Sequence, residues 1–165
     1  MTRMEPRTLK GFRDLLPAQA LWRARKVRLL EQVFQAHGFS PIETPALEFA
    51  EILKGKGGDE QDKEIFEFQD KGGRQVALRF DLTVPLARYY AHNHARLPAP
   101  LKAIQIGPVW RADRPQQGRY RQFTQCDIDI LGVSSEVAEI ELILATAEAL
   151  HGLGLGDLTV RINDR

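Results

Sequence analysis

Apolar side chains recur at helical spacing over residues 17–37, where Leu21, Trp22, Leu29, Leu30, Val33 and Phe34 are separated by Arg and Lys. That period predicts an amphipathic helix with its apolar stripe in a core. Gly38 suits the stop at its C-terminal end. A short strand follows over residues 39–43 and ends at Thr44-Pro45. Residues 64–68 and 75–80 predict two strands, joined through Asp70-Lys71-Gly72-Gly73 as a hairpin. Residues 82–94 predict a helix, and residues 97–100, with two prolines, a connector. Residues 102–109 and 120–131 predict a second hairpin around an arginine-rich loop. Ser134 or Ser135 is expected to cap a helix running to about Leu150, with Glu136 in its first turn and Gly152 beyond its end. Residues 159–162 predict a last strand. Hairpins with flanking helices give an α+β class, an antiparallel β-sheet flanked by helices. A doubly wound parallel sheet needs a strand–helix alternation that is weak here.

Composition narrows the picture. A chain of 165 residues fits one domain with a sizeable core. Its formal net charge is +1, which provides no polybasic platform, so any RNA contact is local. Cys126 is the only cysteine. That excludes an internal disulfide and a multi-cysteine metal site, and favours a reducing, cytoplasmic setting. No apolar run approaches a membrane span, and no signal-peptide core is visible near the N-terminus. His37, His92, His94 and His151 share no zinc-like spacing. Residues 53–60, LKGKGGDE, are Gly-rich and read as a mobile loop, without the spacing of a phosphate-binding Walker loop.

The most informative stretch is VWRADRPQQGRYRQFTQCDIDILG, residues 109–132. Four arginines (Arg111, Arg114, Arg119 and Arg121) surround a Pro-Gln-Gln-Gly turn. Alternate positions of the following strand are Arg119, Arg121, Phe123, Gln125, Asp127 and Asp129, and alternate strand positions share a face. One face thus carries cations, a ring, an amide and carboxylates. The opposite face ends in Ile128 and Ile130, suited to a core. A cationic end, a stacking ring and an acidic end fit a ligand that is polyanionic at one end and aminated at the other.

This stretch resembles the second signature motif of class II aminoacyl-tRNA synthetases, and RPQQGRYRQFTQ with DIDILG resembles its histidyl-tRNA synthetase form. LRFDLTVPLARYYA (residues 78–91) is similar to that family's amino-acid-binding segment. KGFRDLLP (10–17) and HGFSPIETPALEF (37–49) are similar to its N-terminal segment and first motif. The motifs stand in the family's order. The resemblance implies a class II catalytic-domain fold that activates histidine with ATP and transfers it to tRNA(His). Arg111 would hold the α-phosphate beside the attacking carboxylate, as the catalytic residue. Arg119 would reach the terminal phosphates and Phe123 would stack under adenine. Asp113, where the family usually has glutamate, would contact the nucleotide. Asp81, Thr83, Arg111, Gln125 and Asp129 would bind histidine. Mg²⁺ would arrive with ATP, held mainly by phosphate oxygens. The first-motif region would support a homodimer. Lys10 and Arg13 are candidates for contact with tRNA or a partner subunit, but surface charge is the simpler reading.

Complete members of the family are longer, with a third motif, a second histidine segment and an anticodon-binding domain. Residues 1–9 are therefore expected to be a tail and residues 10–165 part of a catalytic domain, a poor catalyst by itself. The competing implication is a histidine-sensing regulatory subunit of ATP phosphoribosyltransferase. The intact arginine-rich loop argues for the enzyme, since a sensor needs no full set of phosphate-binding arginines.

Overall fold

The computed structural model describes residues 5–54 and 64–163. Most of the Gly-rich segment expected over 53–60 lies outside the described residues. The elements run α1 (Pro17–Ala36), β1 (Ser40–Pro41), β2 (Leu47–Phe49), α2 (Ala50–Lys54), β3 (Glu67–Gln69), β4 (Gln75–Leu78), α3 (Thr83–Asn93), a 3₁₀ turn (His94–Arg96), β5 (Leu101–Trp110), β6 (Gln122–Leu131) and α4 (Glu136–Gly152). The class is α+β. The strands form two three-stranded sheets, β2-β4-β3 and β1-β5-β6. The first is antiparallel throughout, whereas β1 runs parallel to β5. The chain divides into two compact units, Met1–Leu16 with Thr44–Asn93 and Ile106–Gln125, and Pro17–Glu43 with His94–Gln105 and Cys126–Arg165.

In the first unit, the expected hairpin joins β3 to β4. Asp70 organises it: its Oδ1 accepts the Gly72 and Arg74 amides at 2.8 and 2.9 Å. Gly73 takes φ +79°, a conformation glycine adopts without steric cost. Hydrogen bonds from Arg74 hold the Asp70 carboxyl below its usual range. The sheet packs Ala50, Leu53, Ile65 and Ala77 into a core with Phe80 and Val84 against it. The strand β2 and helix α2 were not expected, because each is too short to show a period.

Two charged side chains, Glu48 and Arg79, are buried in this unit. Arg79 is 7% exposed. Its Nε donates to Pro108 O at 3.0 Å, and its Nη1 donates to Thr44 O at 2.7 Å and Thr44 Oγ1 at 3.2 Å. Burial lowers its pKa, and the Glu48 charge works against that. Arg88 donates Nε and Nη2 to Glu48 Oε1 at 2.9 and 2.6 Å. Gly107 makes room for the arrangement, since a Cβ there would sit 2.6 Å from Arg79 Nη2.

The second unit rests on α1, α4 and the β1–β5 pairing, in register Ser40↔Ala103 and Pro41↔Ile104. α1 and α4 pack together, with Gly152 against Leu29. Phe34 and Phe39 are buried edge to face, with centroids 6.3 Å apart. Gly38 takes φ +81° at the end of α1 as expected. Lys102 Nζ donates to His37 O and to Glu141, and the His37 ring meets Glu148 at 2.8 Å. Ser135 caps α4 by accepting the Val137 amide.

Three expectations need correction. Gly152 closes α4, and the left-handed turn falls to Gly154 at φ +92°. Residues 159–162 are exposed and join no ladder among the described residues, so no described backbone partner holds them as a strand. The α1 stripe is only partly core: Phe34 is buried, while Leu21 and Trp22 are 55% and 64% exposed.

Candidate functional site

The arginine-rich loop connects β5 to β6 and is closed by its own backbone. Gln116 N donates to Arg119 O at 3.3 Å and Arg119 N returns to Gln116 O at 3.0 Å. Gly118 supplies the required φ of +79°. The Arg119 guanidinium folds back onto Asp113 Oδ2. The Asp113 side chain is 7% exposed and that of Arg119 is 55% exposed. The carboxylate is thus anchored inside the loop, and its arginine faces water.

The base of the loop is equally defined. Arg111 N donates to Arg121 O at 2.9 Å. Arg111 Nε donates to Phe80 O at 3.1 Å, which ties the loop to the segment carrying Asp81 and Thr83. The Arg111 guanidinium lies 5.1 Å from the Phe123 ring centroid, within cation–π range. One of its five donor N–H groups is committed to Phe80; such a fork suits bidentate binding of phosphate or carboxylate.

The first unit therefore brings together Arg111, Asp113, Arg119 and Phe123. Asp81 and Thr83 stand at the start of α3, where Asp81 Oδ1 accepts the Val84 amide at 3.2 Å. Asp81 thus has the capping contact that its position suggested. Gln125 is half-buried and ends the first unit. Asp129 belongs to the second unit. Burial raises its carboxyl pKa, and the neighbouring Asp127 charge adds to that.

The strand face needs one correction. β6 begins at Gln122, so Arg119 and Arg121 are loop residues and not strand positions. Arg121 N donates to Gly11 O at 2.8 Å, and its Nε donates to Asp113 O at 3.0 Å. A contact outside the ladder has taken its amide. The alternation holds only as far as Asp127: Phe123, Gln125 and Asp127 are half-buried while Gln122, Thr124 and Cys126 are exposed, and beyond it Asp129 no longer differs in burial from its neighbours. Ile128 and Ile130 are half-buried.

Sequence reasoning missed Gly11, which takes φ +85° and presses its backbone against Arg121. A Cβ there would lie 2.8 Å from Arg121 Cγ, a stiff part of that side chain. Gly11→Ala is expected to cost about 1–3 kcal/mol, seen as a lower urea midpoint with an unchanged slope. An unchanged midpoint would show that the contact relaxes freely. Arg13 is not simply solvated, because its guanidinium lies 4.0 Å over the Tyr120 ring.

Glu64 was missed as well. Its carbonyl accepts the Ala112 amide at 2.7 Å. Its carboxyl pKa is raised, first by a hydrogen bond to Asp113 and then by desolvation and the Asp113 charge, with Arg119 and Arg111 opposing. No periodicity or motif spacing marks this residue. Among the described residues, no group of three or more His, Cys, Asp or Glu side chains could hold a metal ion. No described helix is long and apolar enough to cross a membrane.

Comparison with known proteins gives this geometry a context. The family model for histidyl-tRNA synthetase matches residues 11–164. The chain belongs to the histidyl-tRNA synthetase family. It is 49% identical to a histidine--tRNA ligase of Rhodopirellula baltica over 162 residues, 98% of this chain and 37% of that relative. It is 47% identical to one from Treponema denticola, over 98% of this chain and 36% of that relative. The crystal structure of histidyl-tRNA synthetase from Nostoc sp. PCC 7120 matches with a TM-score of 0.80 at 34% identity, covering 92% of this chain and 35% of that one. The chain spans a little over a third of the length of these family members.

Proposed function

We propose that this chain carries the ATP-binding part, and one wall of the histidine-binding part, of a histidine–tRNA ligase. The observation that carries the reading is the loop itself. Arg111 stacks on Phe123 while Arg119 rests on an anchored Asp113, so two cations and a ring stand at one end of the site.

Histidine activation joins the amino acid's carboxylate oxygen to the α-phosphorus of ATP and expels pyrophosphate. Two anions must approach each other. Fixed guanidinium groups offset that repulsion and stabilise charge growing on the phosphate oxygens. Arg111 would bridge the α-phosphate and the attacking carboxylate, with Arg119 on the terminal phosphates and Phe123 under adenine. Asp113 would contact the nucleotide. Mg²⁺ would come bound to the phosphate oxygens of ATP, supplying charge neutralisation.

Histidine would be recognised by Asp81, Thr83, Arg111 and Gln125; for Asp129 the role rests on the motif alone. Gln125→Ala or Asp129→Ala is expected to weaken histidine binding about tenfold and ATP binding little, as read by calorimetric titration. Equal losses for both ligands would mean that these residues support the sheet instead. Transfer to tRNA(His) would follow. A homodimer in the cytoplasm is part of the same reading, and exposed Leu21 and Trp22 on α1 suit an interface.

The regulatory-subunit reading is not favoured, because the relatives at 47–49% identity are named histidine--tRNA ligases. The test is isotope exchange between pyrophosphate and ATP. Exchange that requires histidine supports the ligase. Histidine binding without exchange, in a protein that also binds ATP, would favour a sensor.

A further inference from the structure

Arg121 has no part in the roles above, yet contacts from both limbs of the loop and from the N-terminal segment meet on it. Its amide donates to Gly11 O at 2.8 Å, and its carbonyl accepts the Arg111 amide at 2.9 Å. Its Nε donates to Asp113 O at 3.0 Å. The stem is held as well: a Cβ on Gly11 would lie 2.8 Å from Arg121 Cγ and 2.9 Å from Cδ, so the methylenes rest directly on the glycine. The segment that carries Gly11 is itself fastened. The Phe12 ring meets Phe66 edge to face, with centroids 6.2 Å apart, and Arg13 lies 4.0 Å over the Tyr120 ring. The two residues that follow Arg119 are thus gripped from one short stretch of chain.

Asp113 is held at both ends of its own geometry. Its carbonyl takes the Arg121 Nε–H, and its carboxylate takes the Arg119 guanidinium. We propose that Arg121 is a positioning residue of the nucleotide site: seated on Gly11, it holds the Asp113 backbone and so sets where Arg119 stands for a polyphosphate. This rests on the reading of Arg119 as a phosphate ligand. A cation placed in advance loses less freedom when phosphate arrives, and that saving appears as affinity. Without the Nε bond, Asp113 samples other orientations, and only the fraction with Arg119 in place binds at full strength. Arg121 acts through Asp113 and Arg119, without touching the nucleotide.

The test is calorimetric titration with ATP and with histidine, comparing the wild type, Arg121→Met, Arg119→Met and the double variant. Methionine keeps a stem over Gly11 and loses the donor. Arg121→Met is expected to weaken ATP binding about tenfold, the scale of one hydrogen bond from a charged group, and histidine binding little. Most of that loss is expected to vanish when Arg119 is already methionine, because residues that act through one another are not additive. Losses that multiply in the double variant would show Arg121 meeting the phosphates directly. Equal losses for ATP and histidine would show general support of the fold, and an unweakened Arg121→Met a loop that holds itself. Each of these overturns the proposal while leaving the phosphate reading intact. Full ATP affinity in Arg119→Met, or no ATP binding by the wild type, would overturn that reading and the proposal with it. Exchange of arginine Nε–H with water in the wild type covers the case in which Arg121→Met does not fold. The Arg121 Nε–H is expected to be protected with and without ATP. Rapid exchange in the absence of ATP would show that the bond to Asp113 O is not maintained, and the proposal would fail.

Discussion

Replacing Arg111 with glutamine is expected to slow histidine activation by about two to three orders of magnitude, while histidine affinity changes by less than about tenfold. The asymmetry follows from where charge moves. Arg111 is held by Phe80 O at 3.1 Å and by stacking on Phe123, so its orientation is set before the reactants arrive. A preoriented cation contributes most to the state in which charge gathers on the phosphate oxygens. Glutamine keeps some length and polarity but loses the charge and the fork. Pre-steady-state adenylate formation reads the first effect, and equilibrium titration with histidine the second. A loss confined to histidine affinity would place Arg111 in amino-acid recognition only.

The largest effect on stability is expected at Arg79. Arg79→Met should lower the unfolding free energy by about 3 kcal/mol, measured by urea denaturation. Methionine fills much of the space but offers no donors, so Pro108 O and Thr44 O lose their buried partner. Glu48 also loses the favourable charge of Arg79 and keeps its ion pair with Arg88. Arg74→Met provides the contrast: its partnership with Asp70 is solvent-exposed, and such pairs contribute little. Its midpoint should barely move. Similar losses in the two variants would mean that the Arg79 hydrogen bonds carry no special weight.

How far the sequence was legible varies with the length over which a signal repeats. The 20-residue α1 and the 17-residue α4 have room for a helical period and recognisable ends. The β3–β4 hairpin announces itself through Asp70 and Gly73, whose chemistry is local. β2 and α2 are three and five residues long and have no such signal. Residues 159–162 have strand-like composition, but a strand is defined by a neighbour, which composition does not supply.

The site divides in the same way. Arg111, Asp113, Arg119 and Phe123 fall close together in sequence, so motif spacing could single them out. Alternation failed at Arg119 and Arg121 because Gly11, more than a hundred residues away, takes the Arg121 amide. Glu64 and Arg79 are set by tertiary contacts to Ala112, Thr44 and Pro108. The one hint for Arg79 is a charge placed between Leu78 and Phe80 in an apolar strand.

The central claim is that the loop from Arg111 to Phe123 binds ATP. Nuclear magnetic resonance on labelled chain tests it most directly, by following backbone amide, arginine side-chain Nε–H and aromatic resonances as ATP and then histidine are added. The account predicts that ATP shifts Arg111, Arg119 and Phe123, with Arg119 losing its coupling to Asp113, and that histidine acts on Asp81, Thr83 and Gln125. An ATP response elsewhere in the chain, with these three side chains unmoved at saturation, would contradict it.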